Sequence, residues 1–310
     1  MSTFDGLQRR LDDGEVVVLD GGTGTELERR GVPMDSAAWS GAAIHTHPEV
    51  VRQVHEDYIQ AGADIVITNT FATCRHSLEG AGLGDFVAEI NSRSVSLAKD
   101  AIEAAEVDRS IYVAGAISTF QTRNNSEFMP SLDVAKANYR EQAELLAEAG
   151  VDLLMMEMMV DLEQSALAIE SAESTGLPVW VGYSCRTDED GGQVLLLNRE
   201  RDDAFAEALE QLGGLGGSLI AVMHTVIEDT VPALSVVKEK WSGSVGAFPH
   251  SGNFVMPNWQ FKDIMSPEDY LAEAQKWARM GVQVIGGCCG TTPEHIKALK
   301  DGLPTHVPWA

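Results

Sequence analysis

The segment DLLMMEM at residues 152–158 is the stretch from which the fold is most clearly inferred. It has the length of a β-strand, and its apolar residues follow one another instead of alternating with polar ones. Continuous apolar runs are typical of parallel strands that are buried on both faces. A helical pattern precedes it at residues 133–149 and another follows at 162–174, before the next apolar run, PVWVGYS, at 178–184. This order predicts parallel β/α units.

The same alternation extends from this centre to both ends of the chain. Strands are predicted at residues 16–22, 64–70, 111–117, 152–158, 178–184, 218–224, 244–248 and 282–287. Helices are predicted at residues 49–61, 86–105, 133–149, 162–174, 201–212, 230–240, 267–280 and 293–300. About eight strand–helix pairs predict a closed (β/α)8 TIM barrel rather than an open sheet. Because no convincing internal repeat and no low-complexity linker divides the sequence, we predict a single domain over residues 1–310.

The chain has 310 residues and a formal net charge of -25, which argues against binding to nucleic acid or to an anionic membrane. No apolar run is long enough to cross a bilayer, and residues 1–15 lack the basic and apolar regions of a signal peptide. The four cysteines are too few for a disulfide scaffold, and two of them are adjacent, which indicates a reducing compartment. These features predict a cytoplasmic protein with small-molecule partners, and they leave the oligomeric state open.

Catalytic groups of such barrels lie where strands end and the following loops begin. Cys288 and Cys289 follow the last predicted strand, and flanking glycines permit the backbone turn that brings adjacent thiols together. His224 ends the sixth strand and is the natural third ligand, because two thiolates and one imidazole form a zinc site with an open position. Two alternatives stand beside this interpretation: a pair of small buried thiols, and a glycine-rich loop that binds phosphate.

Two carboxylates also lie at strand ends, Asp20 after strand one and Glu157 in strand four. A buried carboxylate is costly unless it meets a cation, and a substrate ammonium group is such a cation. The alternative for Asp20 is a cap that accepts hydrogen bonds from the turn at residues 21–23, and the alternative for Glu157 is an ion pair with an arginine. Trp39 is a candidate wall for a cationic methyl donor through a cation–π contact, or else a packing residue.

Three segments carry a family resemblance: LDGGTGTELERRG at 19–31, ITNTF at 67–71 and GGCCGTTPEHI at 286–296. They resemble the homocysteine S-methyltransferases, which include S-methylmethionine-dependent and betaine-dependent enzymes. The likeness covers nearly the whole chain in order, and the last segment is its most specific part. The resemblance implies a (β/α)8 barrel that transfers a methyl group from an onium donor to the thiol of homocysteine, with Zn²⁺ as cofactor.

The resemblance also implies a metal site with three cysteine ligands. Cys288 and Cys289 match two of them. The third cysteine of the family follows strand six in a Gly-x-Asn-Cys segment, and His224 stands at that position in this chain. After strand seven the family often has Pro-Asn-Ser-Gly, where this chain has His250 in place of the asparagine. We therefore expect the metal ligands to be His224, Cys288 and Cys289.

For the substrates, the resemblance assigns Asp20 and Glu157 to the amino group of homocysteine and places Gly21 and Gly22 near its carboxylate. Trp39 matches the tryptophan of the donor site in betaine enzymes. Those enzymes have a tyrosine just after the Thr-Phe of the ITNTF segment, whereas this chain has Ala72. The betaine assignment is therefore the weaker one. Asn69, within the same segment, completes the predicted substrate-binding residues.

The function predicted from the sequence is zinc-dependent methyl transfer to a thiol, with a small-molecule thiol and a methyl donor as partners. One alternative is a barrel that uses zinc-bound hydroxide for hydrolysis or lyase chemistry, with His250 as the visible candidate base. A second alternative is a metal-free descendant that binds a small amino acid. The polar segment at residues 119–131 is a candidate lid.

Overall fold

The computed structural model describes residues 3–119, 130–198, 200–215, 217–255 and 260–308. Its largest sheet consists of eight parallel strands: β1 (Val17–Val18), β2 (Ile65–Ile67), β3 (Tyr112–Ser118), β4 (Leu153–Met159), β5 (Val179–Tyr183), β6 (Leu219–Met223), β7 (Ser244–Phe248) and β8 (Val284–Ile285). From β2 to β8 each strand pairs with the next along the chain, and β8 pairs with β1. The predicted (β/α)8 barrel is thereby confirmed. Most of the candidate lid falls at residues 120–129, which lie outside the described residues.

The barrel closes between β1 and β2. Leu19 forms a parallel bridge with Ile65, and the backbone N–H of Asp20 donates to the Ile65 carbonyl at 3.1 Å. At the other end of the seam the N–H of Asp64 donates to the Val18 carbonyl at 2.7 Å. These bonds leave no open edge between the first two strands, which is the condition for a barrel rather than a sheet.

Twelve helices accompany the strands in the described part of the chain. They are α1 (Thr3–Asp12), α2 (Thr23–Arg29), α3 (Ala43–Thr46), α4 (Pro48–Ala61), α5 (Arg75–Gly80), α6 (Val87–Ala105), α7 (Leu132–Ala149), α8 (Leu162–Glu173), α9 (Phe205–Leu212), α10 (Ile227–Lys240), α11 (Pro267–Arg279) and α12 (Pro293–Gly302). Short 3₁₀ turns occur at Ser40–Ala42 and Gly84–Phe86. None of the helices that the structure describes has both the length and the apolar character needed to cross a membrane.

The hydrophobic core has two layers, one between strands and helices and one inside the barrel. The inner layer fills the amino-terminal half of the barrel. There α1 closes the bottom, where Leu7 and Leu11 are buried and Phe4 makes an edge contact with Trp180 at 6.4 Å between ring centroids. This end is filled with side chains, whereas an open cavity lies at the carboxyl ends of the strands.

The structure differs from the sequence-based boundaries at several elements. β1 and β8 are two-residue ladders, shorter than the predicted strands at 16–22 and 282–287, because the chain turns into loops soon after the ladder. Helix α9 begins at Phe205 instead of 201, since Ala204 still bridges to Leu195. Helix α1 and two short hairpins were not predicted from the sequence. The hairpins pair Cys185–Thr187 with Val194–Leu196 and Asn253–Val255 with Gln260–Lys262.

Candidate active site

An open cavity of about 810 Å³ lies at the carboxyl ends of the barrel strands. Its lining comes from the loops after β1, β2, β6 and β8 and from the ends of strands β2, β4, β6 and β7. It brings together almost all of the site residues predicted from sequence: Gly21, Gly22, Trp39, Asn69, Glu157, His224, Cys288 and Cys289. Asp20 is the exception, because it is fully buried behind the lining. Residues far apart in the sequence therefore meet where barrel enzymes carry their chemistry.

His224, Cys288 and Cys289 form a cluster of possible metal ligands at one side of the cavity. The Cys288 Sγ lies 3.6 Å from His224 Nδ1 and 3.8 Å from Cys289 Sγ. All three ligand atoms lie within 4.8 Å of one another. Two sulfurs and one nitrogen at such separations can hold one metal ion and leave a coordination position for a further ligand.

Backbone turns bring the two adjacent cysteines together. Gly290, directly after the pair, has a positive φ of 80°, and a Cβ there would overlap the carbonyl oxygen of Ser251. The N–H of Cys288 donates to the Pro249 carbonyl at 3.0 Å, and the N–H of Ser251 donates to the Cys289 carbonyl at 2.9 Å. The loops after β7 and β8 are therefore fixed against each other by main-chain bonds, and glycine at 290 is required for this close approach.

The pKa of the Cys288 thiol lies well above its usual range. The largest cause of this raised pKa is the hydrogen bond with Cys289, and burial raises the pKa further. Both favour the neutral thiol over the thiolate. The Cys288 thiol therefore does not ionise readily by itself. A bound dication would reverse this preference, because it would stabilise the thiolate.

His250, the candidate base, lies behind His224 and not among the residues that line the cavity. The two rings meet edge to face with centroids 4.9 Å apart. The His250 side chain is 7% exposed and forms a hydrogen bond to the backbone of His224. Burial lowers the pKa of His250 to about 3, and the neighbouring His224 contributes to that shift. A histidine in this place supports another residue instead of facing a substrate.

Asp20 and Glu157 are two buried carboxyl groups next to the cavity. The Oδ2 of Asp20 accepts a hydrogen bond from the Ile67 N–H at 2.9 Å, so the predicted cap from residues 21–23 is not the interaction observed. The Asp20 Oδ1 has no hydrogen-bond partner among the described residues. Burial raises the pKa of Asp20 well above its usual range, with a further contribution from the charge of Glu157.

Burial also raises the pKa of Glu157, to about 8. No arginine pairs with Glu157 within the part of the chain that the structure describes, so the alternative of an arginine ion pair is not observed there. The two carboxyl groups thus lack a described counter-charge. Both pKa shifts reflect the cost of a negative charge in a buried place, and a cationic ligand would remove that cost.

One wall of the cavity is aromatic. Trp39 and Phe71 meet edge to face at 5.9 Å between centroids, and Gly24 packs so closely against the indole that a Cβ there would overlap it. Asn69 holds the adjoining loop, because its Oδ1 accepts from the Ser40 Oγ and its Nδ2 donates to the Ser40 carbonyl, both at 2.8 Å. Asn69 therefore positions the residue next to Trp39.

Five apolar lining residues were not predicted from the sequence: Ile67, Phe71, Met158, Met223 and Phe248. Ile67 and Phe71 belong to the ITNTF segment, and Met158 and Met223 stand next to the predicted site residues Glu157 and His224. Packing also fixes Met223, because its Sδ accepts a hydrogen bond from the Met158 N–H at 3.2 Å. The N–H of Gly22 is not available to a ligand, because it donates a hydrogen bond to Thr291 Oγ1 at 3.1 Å.

Comparison with known proteins shows a full-length likeness. The homocysteine S-methyltransferase of Escherichia coli (strain K12) is 29% identical, and the alignment covers 97% of this chain and 99% of that relative. The selenocysteine methyltransferase of Astragalus bisulcatus is 27% identical over 92% of each protein. The metallated form of the Escherichia coli homocysteine methyltransferase MmuM has a TM-score of 0.78 at 26% identity and covers 95% of this chain and 99% of that one.

The match to a protein family agrees with these relatives. Residues 17–303 match the homocysteine S-methyltransferase family, which spans the barrel from β1 to the end of α12. The matched region includes every loop that lines the cavity. The chain belongs to the homocysteine S-methyltransferase family and is an S-methyltransferase.

Proposed function

We propose that this protein transfers a methyl group from an onium donor such as S-methylmethionine to the thiol of homocysteine, giving methionine, and that it depends on Zn²⁺ held by His224, Cys288 and Cys289. The observation that carries the proposal is the convergence of these three side chains at the cavity. The relatives named for homocysteine support the acceptor. The metallated state named for one of them supports a metal-dependent reaction.

The two separations that involve Cys288 Sγ fit a tetrahedral zinc site. With Zn–S bonds of about 2.3 Å and a Zn–N bond of about 2.0–2.1 Å, tetrahedral angles place two sulfurs about 3.8 Å apart and a sulfur and a nitrogen about 3.6 Å apart. The observed separations are 3.8 Å between the two sulfurs and 3.6 Å between Cys288 Sγ and His224 Nδ1. Thiolate and imidazole ligands are also the types that zinc prefers. The residues present therefore fit this ion.

The acceptor is recognised through its amino-acid end. Glu157 faces the cavity and Asp20 lies behind it, and both carboxyl groups lack a described counter-charge. An ammonium group would favour their charged forms and compensate the cost of burial. Gly21 and Gly22 line the cavity, and we assign the substrate carboxylate to a place beside them. The Gly22 N–H already donates to Thr291, and a Cβ at Gly22 would overlap the Cys288 carbonyl oxygen, so we assign Gly22 to close packing of the loops and not to a hydrogen bond with the substrate.

The methyl donor occupies the part of the cavity formed by Trp39, Phe71 and Met158. No lysine or arginine belongs to the lining that the structure describes. A cationic onium group is therefore not repelled, and the face of an indole attracts it. The aromatic and thioether side chains also exclude water from the reacting methyl group, which limits loss of that group to hydrolysis.

When bound, zinc supplies an open coordination position that takes a thiol as thiolate at neutral pH and so provides the nucleophile. The thiol proton leaves to solvent, and the sulfur attacks the methyl carbon as the bond from that carbon to the donor breaks. The donor leaves as a neutral thioether or tertiary amine. Glu157 and the aromatic wall orient the two substrates toward each other, and this orientation is the main contribution of the protein.

The two alternative functions receive less support. Hydrolysis or lyase chemistry needs a base near the metal, and its candidate, His250, does not line the cavity. A metal-free binding protein would have no need for three ligand-type side chains whose ligand atoms lie within 4.8 Å of one another. We therefore favour methyl transfer over both.

The deciding experiment combines metal analysis with a transfer assay. We expect about one zinc per chain after purification under reducing conditions, and methionine formation from S-methylmethionine and homocysteine. Cys288→Ser should lose both the metal and the activity. Cys74→Ser is the matched control, because Cys74 is a buried cysteine outside the cavity, and it should keep both. Equal zinc content in wild type and Cys288→Ser would refute the ligand assignment. Absence of transfer from sulfonium and betaine donors, to homocysteine or selenocysteine, would refute the function.

A further inference from the structure

We propose that His250 is a positioning residue that holds His224 in the conformation in which its imidazole reaches the metal. The inference rests on the metal site proposed above. It starts from the backbone of His224, which has a positive φ of 42°. Residues other than glycine rarely adopt this left-handed region, and such a conformation costs on the order of 1–3 kcal/mol. It persists only where surrounding contacts stabilise it.

His250 provides two such contacts. Its side chain forms a hydrogen bond with the His224 backbone, in which the ring N–H donates to the carbonyl oxygen. Its ring also packs edge to face against the His224 ring, with 4.9 Å between centroids and 62° between planes. The first contact fixes the peptide that follows His224, and the second limits rotation of the imidazole. Together they direct Nδ1 toward Cys288, 3.6 Å away.

The position of His250 is itself fixed by the main chain. Its N–H donates to the Thr225 carbonyl at 3.3 Å, which ties it to the loop that carries His224. On either side, Pro249 accepts from the Cys288 N–H and Ser251 donates to the Cys289 carbonyl. His250 therefore lies on a short bridge between the loop after β6 and the loop after β8. A residue there can set the distance between the imidazole and the two thiols.

The same geometry separates His250 from the metal ligands. It is absent from the cluster whose ligand atoms lie within 4.8 Å of one another, and from the cavity lining that the structure describes. Partners that orient a ligating side chain raise metal affinity although they do not touch the ion. The metal affinity of this protein therefore depends on His250 through its contacts with His224. This dependence should disappear when the imidazole at position 224 is replaced by another side chain.

The test is a double-mutant cycle on metal affinity. The proteins are wild type, His250→Ala, His224→Cys and the double variant, each titrated with Co²⁺ and Zn²⁺ against a competing chelator. We expect His250→Ala to weaken binding by roughly 10–100-fold in the His224 background, the range typical for residues that orient ligands. In the His224→Cys background the same change should weaken binding by less than about threefold, because the interacting imidazole is absent. His250→Gln, which keeps an N–H donor of similar reach, should recover part of the loss.

A second measurement distinguishes positioning from general stability. The visible absorption bands of the Co²⁺ protein report ligand geometry, and His250→Ala should shift them while His76→Ala should not. His76 is the matched control, a largely buried histidine outside the cavity that contacts Tyr139. Equal weakening by His250→Ala in both backgrounds, or unchanged Co²⁺ bands, would overturn the positioning role while leaving the metal site intact. If wild type binds neither ion, the metal site and the role of His250 both fail.

Discussion

Asp20 and Asp64 each accept a backbone hydrogen bond across the β1–β2 seam, at opposite ends of the barrel. The Oδ2 of Asp20 accepts from the Ile67 N–H at 2.9 Å, and the Oδ2 of Asp64 accepts from the Val18 N–H at 3.1 Å. Asp64 also has cationic neighbours, with Lys300 Nζ at 3.2 Å. Asp20, beside the cavity, has no ion pair in the described part of the chain and keeps one oxygen without a hydrogen bond. Both aspartates therefore bond the β1–β2 seam, but only Asp64 has described cationic neighbours that compensate its charge.

This contrast predicts opposite results for two matched substitutions. Asp20→Asn keeps an oxygen that accepts from Ile67 and removes an uncompensated charge, so the free energy of unfolding at pH 8 should stay equal or rise. Its affinity for methionine, used as a probe of the ammonium site, should fall at least tenfold. Asp64→Asn should lower the free energy of unfolding, because it leaves Lys300 without its partner, and should leave methionine affinity unchanged. Urea unfolding and calorimetric titration measure the two quantities. A methionine affinity that Asp20→Asn does not change would contradict the proposed role.

Glu157 gives a prediction about pH. Burial raises its pKa from the ordinary 4.5 to about 8, so between these values the folded protein keeps a proton that the unfolded chain has released. The contribution of Glu157 to the free energy of unfolding is therefore full below about pH 4.5, falls as pH rises and is lost above about pH 8. Glu157→Gln should remove this fall. The measurement is urea unfolding of zinc-loaded wild type and variant from pH 5 to 9. A difference between the two proteins that does not vary with pH would contradict it.

The same carboxyl group should lose its proton when an ammonium ligand binds. At pH 7 most of the Glu157 population is protonated in the ligand-free protein, because its pKa is about 8. Methionine binding should therefore release a proton. Its thioether releases none, so the signal comes from the protein. Calorimetry in buffers of different ionisation enthalpy should show this release for wild type and a smaller release for Glu157→Gln, in which Asp20 is the remaining carboxyl group with a raised pKa. Glu157→Gln should also weaken binding, by roughly 2–5 kcal/mol, the range for losing one partner of a buried charge pair.

The next prediction concerns the charge of the metal site. Two thiolates and one imidazole give the zinc site a formal charge of about zero, whereas three thiolates give about -1. The less negative site attracts the incoming thiolate more strongly and makes its sulfur a poorer nucleophile. His224→Cys, where the new thiol reaches the metal, should raise the apparent pKa for thiol binding and speed the methyl-transfer step. Single-turnover assays across pH test this. An unchanged pH profile and rate in a zinc-loaded variant would exclude His224 as a ligand.

The aromatic wall gives the last prediction. Ser40→Ala removes the 2.8 Å hydrogen bond to Asn69 Oδ1, at a cost of about 1 kcal/mol in stability. Because Ser40 follows Trp39, the indole should lose its fixed position, and the KM for the onium donor should rise while zinc content stays unchanged. Thr46→Ala is the control, since its hydroxyl bonds an exposed carbonyl away from the cavity. Equal donor KM values for Ser40→Ala and wild type would show that Trp39 does not depend on this loop.

Local sequence was sufficient for the barrel and for most of the candidate site. The apolar runs at 64–70 and 152–158 correspond to β2 and β4, because burial on both faces removes polar residues from a parallel strand. Site residues at strand ends were predictable for the same reason: parallel strands closed into a barrel present all their carboxyl ends at one mouth. The hairpin after β5 was not predictable, because its strands of three residues are too short to show a periodic pattern.

What the sequence by itself determined was which chemical groups stand at the strand ends: two adjacent thiols, an imidazole, two carboxyl groups and an indole. Only the tertiary structure decided how they are used. It placed His224 Nδ1 at 3.6 Å from Cys288 Sγ, His250 behind His224 instead of in the cavity, and Asp20 against Ile67 instead of its own turn. The physical reason for this division is that local periodicity along the chain fixes where each strand ends and therefore which residues stand there. Distances between loops depend instead on bonds between residues far apart in sequence, such as Ser251 to Cys289.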